Sequence, residues 1–182
     1  GIEIGGVKHP ASIFTLWSES ERNAIGIYTV EIDKTNFKNQ EWYINTNITY
    51  TFGSGKVTGS YGTATAKPHA DTKWTQKEID DGEAPAGADT NTVKVEGLKT
   101  ILIRAVKEHA QTELAKTDWY ITRKAEEDTA IPSSITTHRK AVRSKQADQE
   151  TKITNAADTA ALETLYTRNN SGDRPIGDIP EL

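Results

Sequence analysis

The chain has 182 residues, enough for one ordinary domain or for two small parts joined by a linker. Its hydrophobic share is 35%, against roughly 45–50% in ordinary globular chains by a count that also includes Gly, so the expected core is thin and burial is expected to be completed against neighbouring chains. A net charge of −4 gives no basic footprint for duplex nucleic acid, and the absence of cysteine excludes disulfides, thiolate chemistry and Cys-based zinc or iron–sulfur sites.

The fold class expected is α+β: a small N-terminal antiparallel β-meander with one short helix, a long linker, and a C-terminal helical hairpin or bundle. The boundaries expected are 1–64 for the β-rich domain, 65–92 for the linker, 93–168 for the helical region and 169–182 for an extended tail. In the first part Ile2-Glu3-Ile4 alternates, Gly5-Gly6 punctuates, and Val7 to Pro10 resumes an extended path. Ser18-Glu19-Ser20-Glu21 fits a capping box, and Gly26 can take the left-handed conformation that closes a helix. Ile27 to Ile32 and Glu41 to Phe52 are rich in β-branched and aromatic residues. In the second run Trp42, Ile44, Ile48, Tyr50 and Phe52 share one face, read as buried, while Asn45, Thr49, Thr51 and the exceptional Tyr43 share the other. Gly53-Ser54-Gly55 makes a turn from which Lys56 to Tyr61 returns antiparallel.

From about Thr63 to Thr92 the texture turns to Ala, Gly, Pro, Asp and Thr, which reads as a linker or a long exposed loop anchored only by Trp74. Beyond it Leu98, Ile101, Leu102, Ala105, Val106 and His109 form an amphipathic helical stripe. Asp118 is placed to cap a new turn starting at Trp119, and Pro132 to occupy the first position of a helix running to about Ile153 with Ile135, Val142 and Ile153 on one seam. Asp158 starts a last short helix bearing Leu162, Leu165 and Tyr166. The tail after Asn169 is expected to be extended or docked on a partner, so that its removal leaves the fold intact and weakens assembly.

No catalytic, cofactor-binding or metal-binding residue is assigned, and no cofactor is expected. The histidines at positions 9, 69, 109 and 138 have no metal-binding spacing, and His109 reads as a half-buried packing residue. Glu126-Glu127-Asp128 and Asp80-Asp81 read as solvated turns, since acid–base work needs two groups in different environments within one pocket. No phosphate loop and no nucleophile elbow is present. Basic residues from Arg139 to Lys152 are interrupted by Asp148 and Glu150 and read as a solvated helical face. Tyr43 and Tyr61 are the best exposed candidates for stacking on a sugar ring. Methionine is absent even at position 1, which points to an initiator removed before Gly1 or to a start further upstream. No apolar run approaches the ~20 residues of a membrane span and no signal peptide is visible, so a soluble chain is expected.

Two stretches carry a resemblance. Gly6-Val7-Lys8-His9-Pro10 through Leu16-Trp17-Ser18-Glu19-Ser20-Glu21-Arg22-Asn23-Ala24-Ile25-Gly26-Ile27 is similar to an opening shared by fibre-associated and fibre-assembly proteins of tailed phages. Thr117-Asp118-Trp119, Arg123, Ile131-Pro132, Arg139 and Val142-Arg143 resemble, in that order, a segment that recurs in tail-fibre and tail-assembly proteins. Together they cover under half of the chain. The resemblance implies a non-enzymatic structural role in a virion tail, baseplate or fibre, or else a non-virion chaperone for fibre assembly; a carbohydrate-binding receptor module is the third alternative. The partners it implies are other tail or fibre proteins and copies of the chain itself, with no nucleic acid and no membrane span, and with a host surface glycan only under the receptor alternative.

Overall fold

The computed structural model describes residues 1–182 and has an α+β architecture divided into two units, Gly1–Thr65 and Ala66–Leu182. In the first unit β1 (Ile2–Ile4) and β2 (Val7–His9) pair as a hairpin. Its turn residues Gly5 and Gly6 have φ of 57° and 80°, the conformation that a two-residue turn of this hand requires. A one-turn helix α1 (Ile13–Leu16) precedes α2 (Glu19–Ala24). The expected capping box is present at α2: the Glu21 amide donates to Ser18 Oγ at 3.3 Å, and the Ser18 amide donates to the Glu21 carboxylate at 2.8 Å.

Next come β3 (Val30–Asp33), the two-residue β4 (Tyr43–Ile44), β5 (Ile48–Gly53) and β6 (Lys56–Tyr61). β5 and β6 form the expected antiparallel hairpin, turned through Ser54 and Gly55 at positive φ. β3, however, lies parallel to β6 on its other side, in the order β3-β6-β5. The sheet is therefore mixed rather than a pure meander. The long path through residues 34–47 carries the chain across, a length that a parallel pairing needs and a hairpin does not.

The second unit follows β7 (Thr65–Ala66). Within the stretch expected to be a bare linker, β8 (Thr72–Lys73) pairs antiparallel with β9 (Val93–Val95), and α3 (Gln76–Asp80) carries its own capping box from Thr75 and Glu78. Segment 67–71 also closes the start of α4 (Leu98–Ala115). The helix's N-cap is Gly97, which has no side chain to offer, so Asp71 accepts from the Gly97 amide at 2.7 Å and from Thr100 Oγ1 at 2.7 Å. The carbonyls of Pro68 and His69 take the Leu98 and Lys99 amides. A Cβ at position 97 would lie 2.3 Å from the Ala70 carbonyl carbon, so the closure depends on glycine. Local polar chemistry thus orders a segment that has almost no apolar content.

α4 is followed by α5 (Asp118–Glu127), α6 (Ser133–Asn155) and α7 (Thr159–Tyr166). Thr117, not Asp118, precedes α5, and Pro132 sits at the N-cap of α6 rather than inside it. Asp158 caps α7 as expected, accepting from the Ala161 amide at 2.8 Å. α4 and α6 run antiparallel and mesh through buried seams at helical spacings of three, four and seven residues, Val106, Ala110 and Glu113 against Ile135, Arg139, Val142, Gln149 and Ile153. The stripe on α4 is thus rotated from the expected one, and Ala105 and His109 are exposed. The tail does not await a partner. Ile176 and Ile179 are buried in this unit, Ile179 packs on Ala110 and Val142, and the Gly177 carbonyl accepts from Gln149 Nε2 at 2.5 Å. No helix is long and apolar enough to cross a membrane.

Candidate interaction surface

The register of the β3-β6-β5 sheet sorts its residues by face. Cross-strand partners point the same way, so Val30, Val57 and Phe52 form one row, Ile32, Gly59 and Tyr50 the next, and Tyr61 and Ile48 the last. These eight positions carry no charge. Glu31, Asp33, Lys56, Thr58, Ser60, Thr49 and Thr51 point to the opposite side, where Lys56 and Glu31 form an ion pair at 2.5 Å. The polar side is the ordinary solvent face of a one-sided sheet.

The apolar side is not covered. Tyr50 is 63% exposed, Phe52 58%, and Val30 and Ile32 43% each. At its centre a Cβ on Gly59 would meet Ile48 Cγ2, Ile32 Cδ1 and Tyr50 Cε1 at 2.9–3.0 Å, so these three side chains lean over the glycine and level the surface. Tyr28 extends the patch by stacking on Phe52, with ring centroids 4.6 Å apart. The buried hydrophobic residues of this unit are only Ile13, Trp42 and Tyr43. The expected core face of the 42–52 run is therefore corrected in part: Trp42 is buried, but Ile44, Tyr50 and Phe52 are open to solvent and Tyr43 is inside. The run is broken between β4 and β5, and the alternation of β5 faces a missing second layer.

The two tyrosines singled out for sugar stacking are not open platforms. Tyr43 is buried with Lys38 Nζ 4.4 Å from its ring centre, and half-buried Tyr61 packs edge-on to Phe37 at 5.0 Å.

In the second unit, the resemblance segment builds a junction rather than a pocket. Buried Arg139 on α6 donates to the Leu114 carbonyl at 2.8 Å and to Thr117 Oγ1 at 2.7 Å, and pairs with Asp118 at 2.8 Å, which fastens the α4–α5 corner to α6. Trp119 is half-exposed on α5, with Tyr120 against it and the Arg123 guanidinium 4.7 Å over its ring. α5 itself buries no residue.

The histidines do not converge. His9 packs edge-on to Trp17, His69 serves through its carbonyl, exposed His109 sits at the rim of a cavity, and half-buried His138 leaves Nε2 without a partner. No three His, Asp or Glu side chains come together in a ligand cluster. The acidic runs are solvated but sit at helix ends rather than in turns: Asp80 ends α3 and Asp81 pairs with Lys77, while Glu126 and Glu127 end α5, which Asp128, in the left-handed conformation and paired with Lys124, closes. The cavity beside His109, about 140 Å³, is lined by Leu102, Val106, Tyr166, Arg174 and Ile176 among others. Burial pushes the Tyr166 hydroxyl above its ordinary pKa, and Asp178 already holds Arg174.

The β3-β6-β5 sheet thus presents an uncharged, partly exposed apolar face. Sequence reasoning saw the strands that make it but assigned Ile48, Tyr50 and Phe52 to a core, took Tyr61 as an exposed candidate, and gave Val30, Ile32 and Val57 no face; the alternation in Val30-Glu31-Ile32-Asp33 and in Val57 to Tyr61 was the available signal. Comparison with protein-family models, with curated proteins and with solved structures finds no match.

Proposed function

We propose that the chain is a non-enzymatic structural component of a tailed-phage virion, placed in the tail, baseplate or fibre, and that it works by binding other tail or fibre proteins. The observation that carries the assembly part is the uncovered apolar face of the β3-β6-β5 sheet. A sheet with one greasy side is ordinarily buried there by a second packed layer. The phage part rests on the two resembling stretches. Their residues form local structures that fit a scaffold: the capped helix after Trp17 and the Arg139 junction at the α4–α5 corner.

The test is mass spectrometry of purified particles with quantification against the other tail proteins. A fixed, reproducible copy number is expected. Absence from particles together with co-purification with unassembled fibre would replace this reading by the assembly-chaperone alternative.

A further inference from the structure

We infer that the cavity between α4, α7 and the tail binds a small monocarboxylate whose hydrocarbon part is about the size of a benzene ring. The inference goes beyond the assembly role and stands apart from it.

The first observation is size and lining. The cavity measures about 140 Å³, close to the roughly 150 Å³ of an apolar cavity that takes up benzene. Leu102 and Val106 of α4 and Ile176 of the tail give it a hydrocarbon wall, with Val106 and Ile176 themselves buried. Exposed Ala105 also lines the space. Buried Gln149 donates to the Gly177 carbonyl at 2.5 Å and so holds the tail's side of the wall in place.

The second observation is one donor and the charge it carries. Arg174 is the permanent cation of this lining, and no carboxylate stands in it. Its Nη2 is paired with Asp178, whereas its Nε is buried and makes no hydrogen bond to any protein atom. A buried donor on a charged group is costly to leave without an acceptor, and carboxylate oxygens are the acceptors a guanidinium binds most strongly. Burial keeps the Tyr166 hydroxyl neutral, so the wall acquires no negative charge that would repel an anion. An acid with its oxygen at Arg174 Nε and its hydrocarbon body against Leu102, Val106 and Ile176 satisfies both halves of the lining. Inorganic phosphate would satisfy the arginine and leave the hydrocarbon wall wet.

The site spans two parts of the chain, since Arg174, Ile176 and Gly177 belong to the tail and Leu102 and Val106 to α4. A bound acid therefore favours the docked tail.

The experiment titrates the full chain with benzoate and with its neutral counterpart benzamide, and follows the Arg174 Nε–H resonance by NMR. Benzoate is expected to shift that resonance saturably with a Kd of about 10 mM or tighter, as a modest affinity per atom gives for a ligand of this size. Benzamide, which lacks the charge, is expected to bind at least about 5-fold more weakly. Arg174→Lys keeps the positive charge and removes Nε, and is expected to weaken benzoate at least about 10-fold. Ala105→Phe fills the space from an exposed position of α4 and is expected to abolish binding while leaving the helical content unchanged. A resonance that does not respond to benzoate, or shifts without saturating, overturns the inference. So does benzamide binding as tightly as benzoate, or benzoate binding that survives Ala105→Phe. The comparison of the two probes uses the unmutated chain, so an Arg174→Lys chain that loosens its tail leaves the test standing.

Discussion

The two units sort apolar from polar residues equally well, yet they differ in what they do with the apolar side. In Ala66–Leu182 the sorted seams of α4 and α6 face each other, and the tail adds Ile176 and Ile179, so that side chains from three separate stretches share one interior. In Gly1–Thr65 the sheet sorts Val30, Ile32, Tyr50 and Phe52 onto one side, where only the Tyr28 ring packs on Phe52 and the four stay 43–63% exposed. Periodicity thus determines which residues share a face, and the number of layers determines whether that face is dry. Hydrophobic stabilisation follows only the second, because it scales with area removed from water. The first unit is held chiefly by ladder hydrogen bonds, turns and caps, the second by packing.

The largest expected effect tests the packed side of this contrast. Truncation after Asn169 removes Ile176 and Ile179, and deleting a single buried isoleucine side chain ordinarily costs about 2–5 kcal/mol. The truncated chain should therefore lose the cooperative thermal transition of its helices, followed by far-ultraviolet circular dichroism. This reverses the expectation that the tail serves only assembly. A truncated chain that melts like the full one would show the tail to be dispensable to the interior.

Next in size is the polar junction. Arg139→Ala removes two hydrogen bonds from a buried guanidinium, to the Leu114 carbonyl and to Thr117 Oγ1, and leaves Leu114 and Thr117 only the bonds they make to each other; hydrogen bonds to a charged group are worth about 1.5–3 kcal/mol. Half-exposed Asp118 adds little to this figure, because solvent screens that arm of the contact. Arg139→Lys is expected to recover only part of the loss, since one ammonium cannot reproduce the planar fork. Urea unfolding gives both numbers, and equal stability of the three chains would remove the junction from the account.

A smaller effect probes the other unit. Ser18→Ala deletes one half of the capping box and should cost about 1 kcal/mol. If local chemistry holds the first unit, amide exchange should quicken through α2 and its neighbours and stay unchanged in α6. Equal quickening in both units would mean that they do not hold themselves together by different means.

How much of this could be read from the residues follows from how far apart the partners stand. The Ser18 box and the Asp158 cap were legible because every participant lies within three residues of the cap. The β5–β6 hairpin was legible from its Gly-Ser-Gly turn. The parallel pairing of β3 with β6 was not, because it depends on a crossover with no local signature. The closure of α4 joins Asp71 to Gly97 across 26 positions, and Arg139 reaches Leu114 and Thr117 across 25 and 22. Nor could alternation along β5 announce that its apolar side would be left bare, since a strand with a second layer and one without it have the same period.

The smallest expected effect concerns the segment between the two kinds of packing. Glu78 accepts from Lys94 Nζ at 2.5 Å and from the Thr75 amide and hydroxyl at 2.9 and 2.8 Å. The hydrogen bond from Lys94, followed by those from Thr75, lowers its pKa from an ordinary 4.5 to about 2. A carboxylate held down in this way contributes stability that is fully present above pH 4.5 and is lost as pH falls through about 2. The pairing of β8 with β9, and the seat of Trp74 under Lys94, should therefore loosen within that window. Other carboxylates titrate there too, so the informative quantity is the difference between the native chain and Glu78→Gln, read at the Trp74 indole resonance. The variant should be loosened already at neutral pH and change less on acidification. Added salt should narrow the difference only in part, because it screens the Lys94 attraction and leaves the Thr75 hydrogen bonds. Identical acid titrations of the two chains would mean that Glu78 does not hold this segment, and that the order seen between β8 and β9 has another origin.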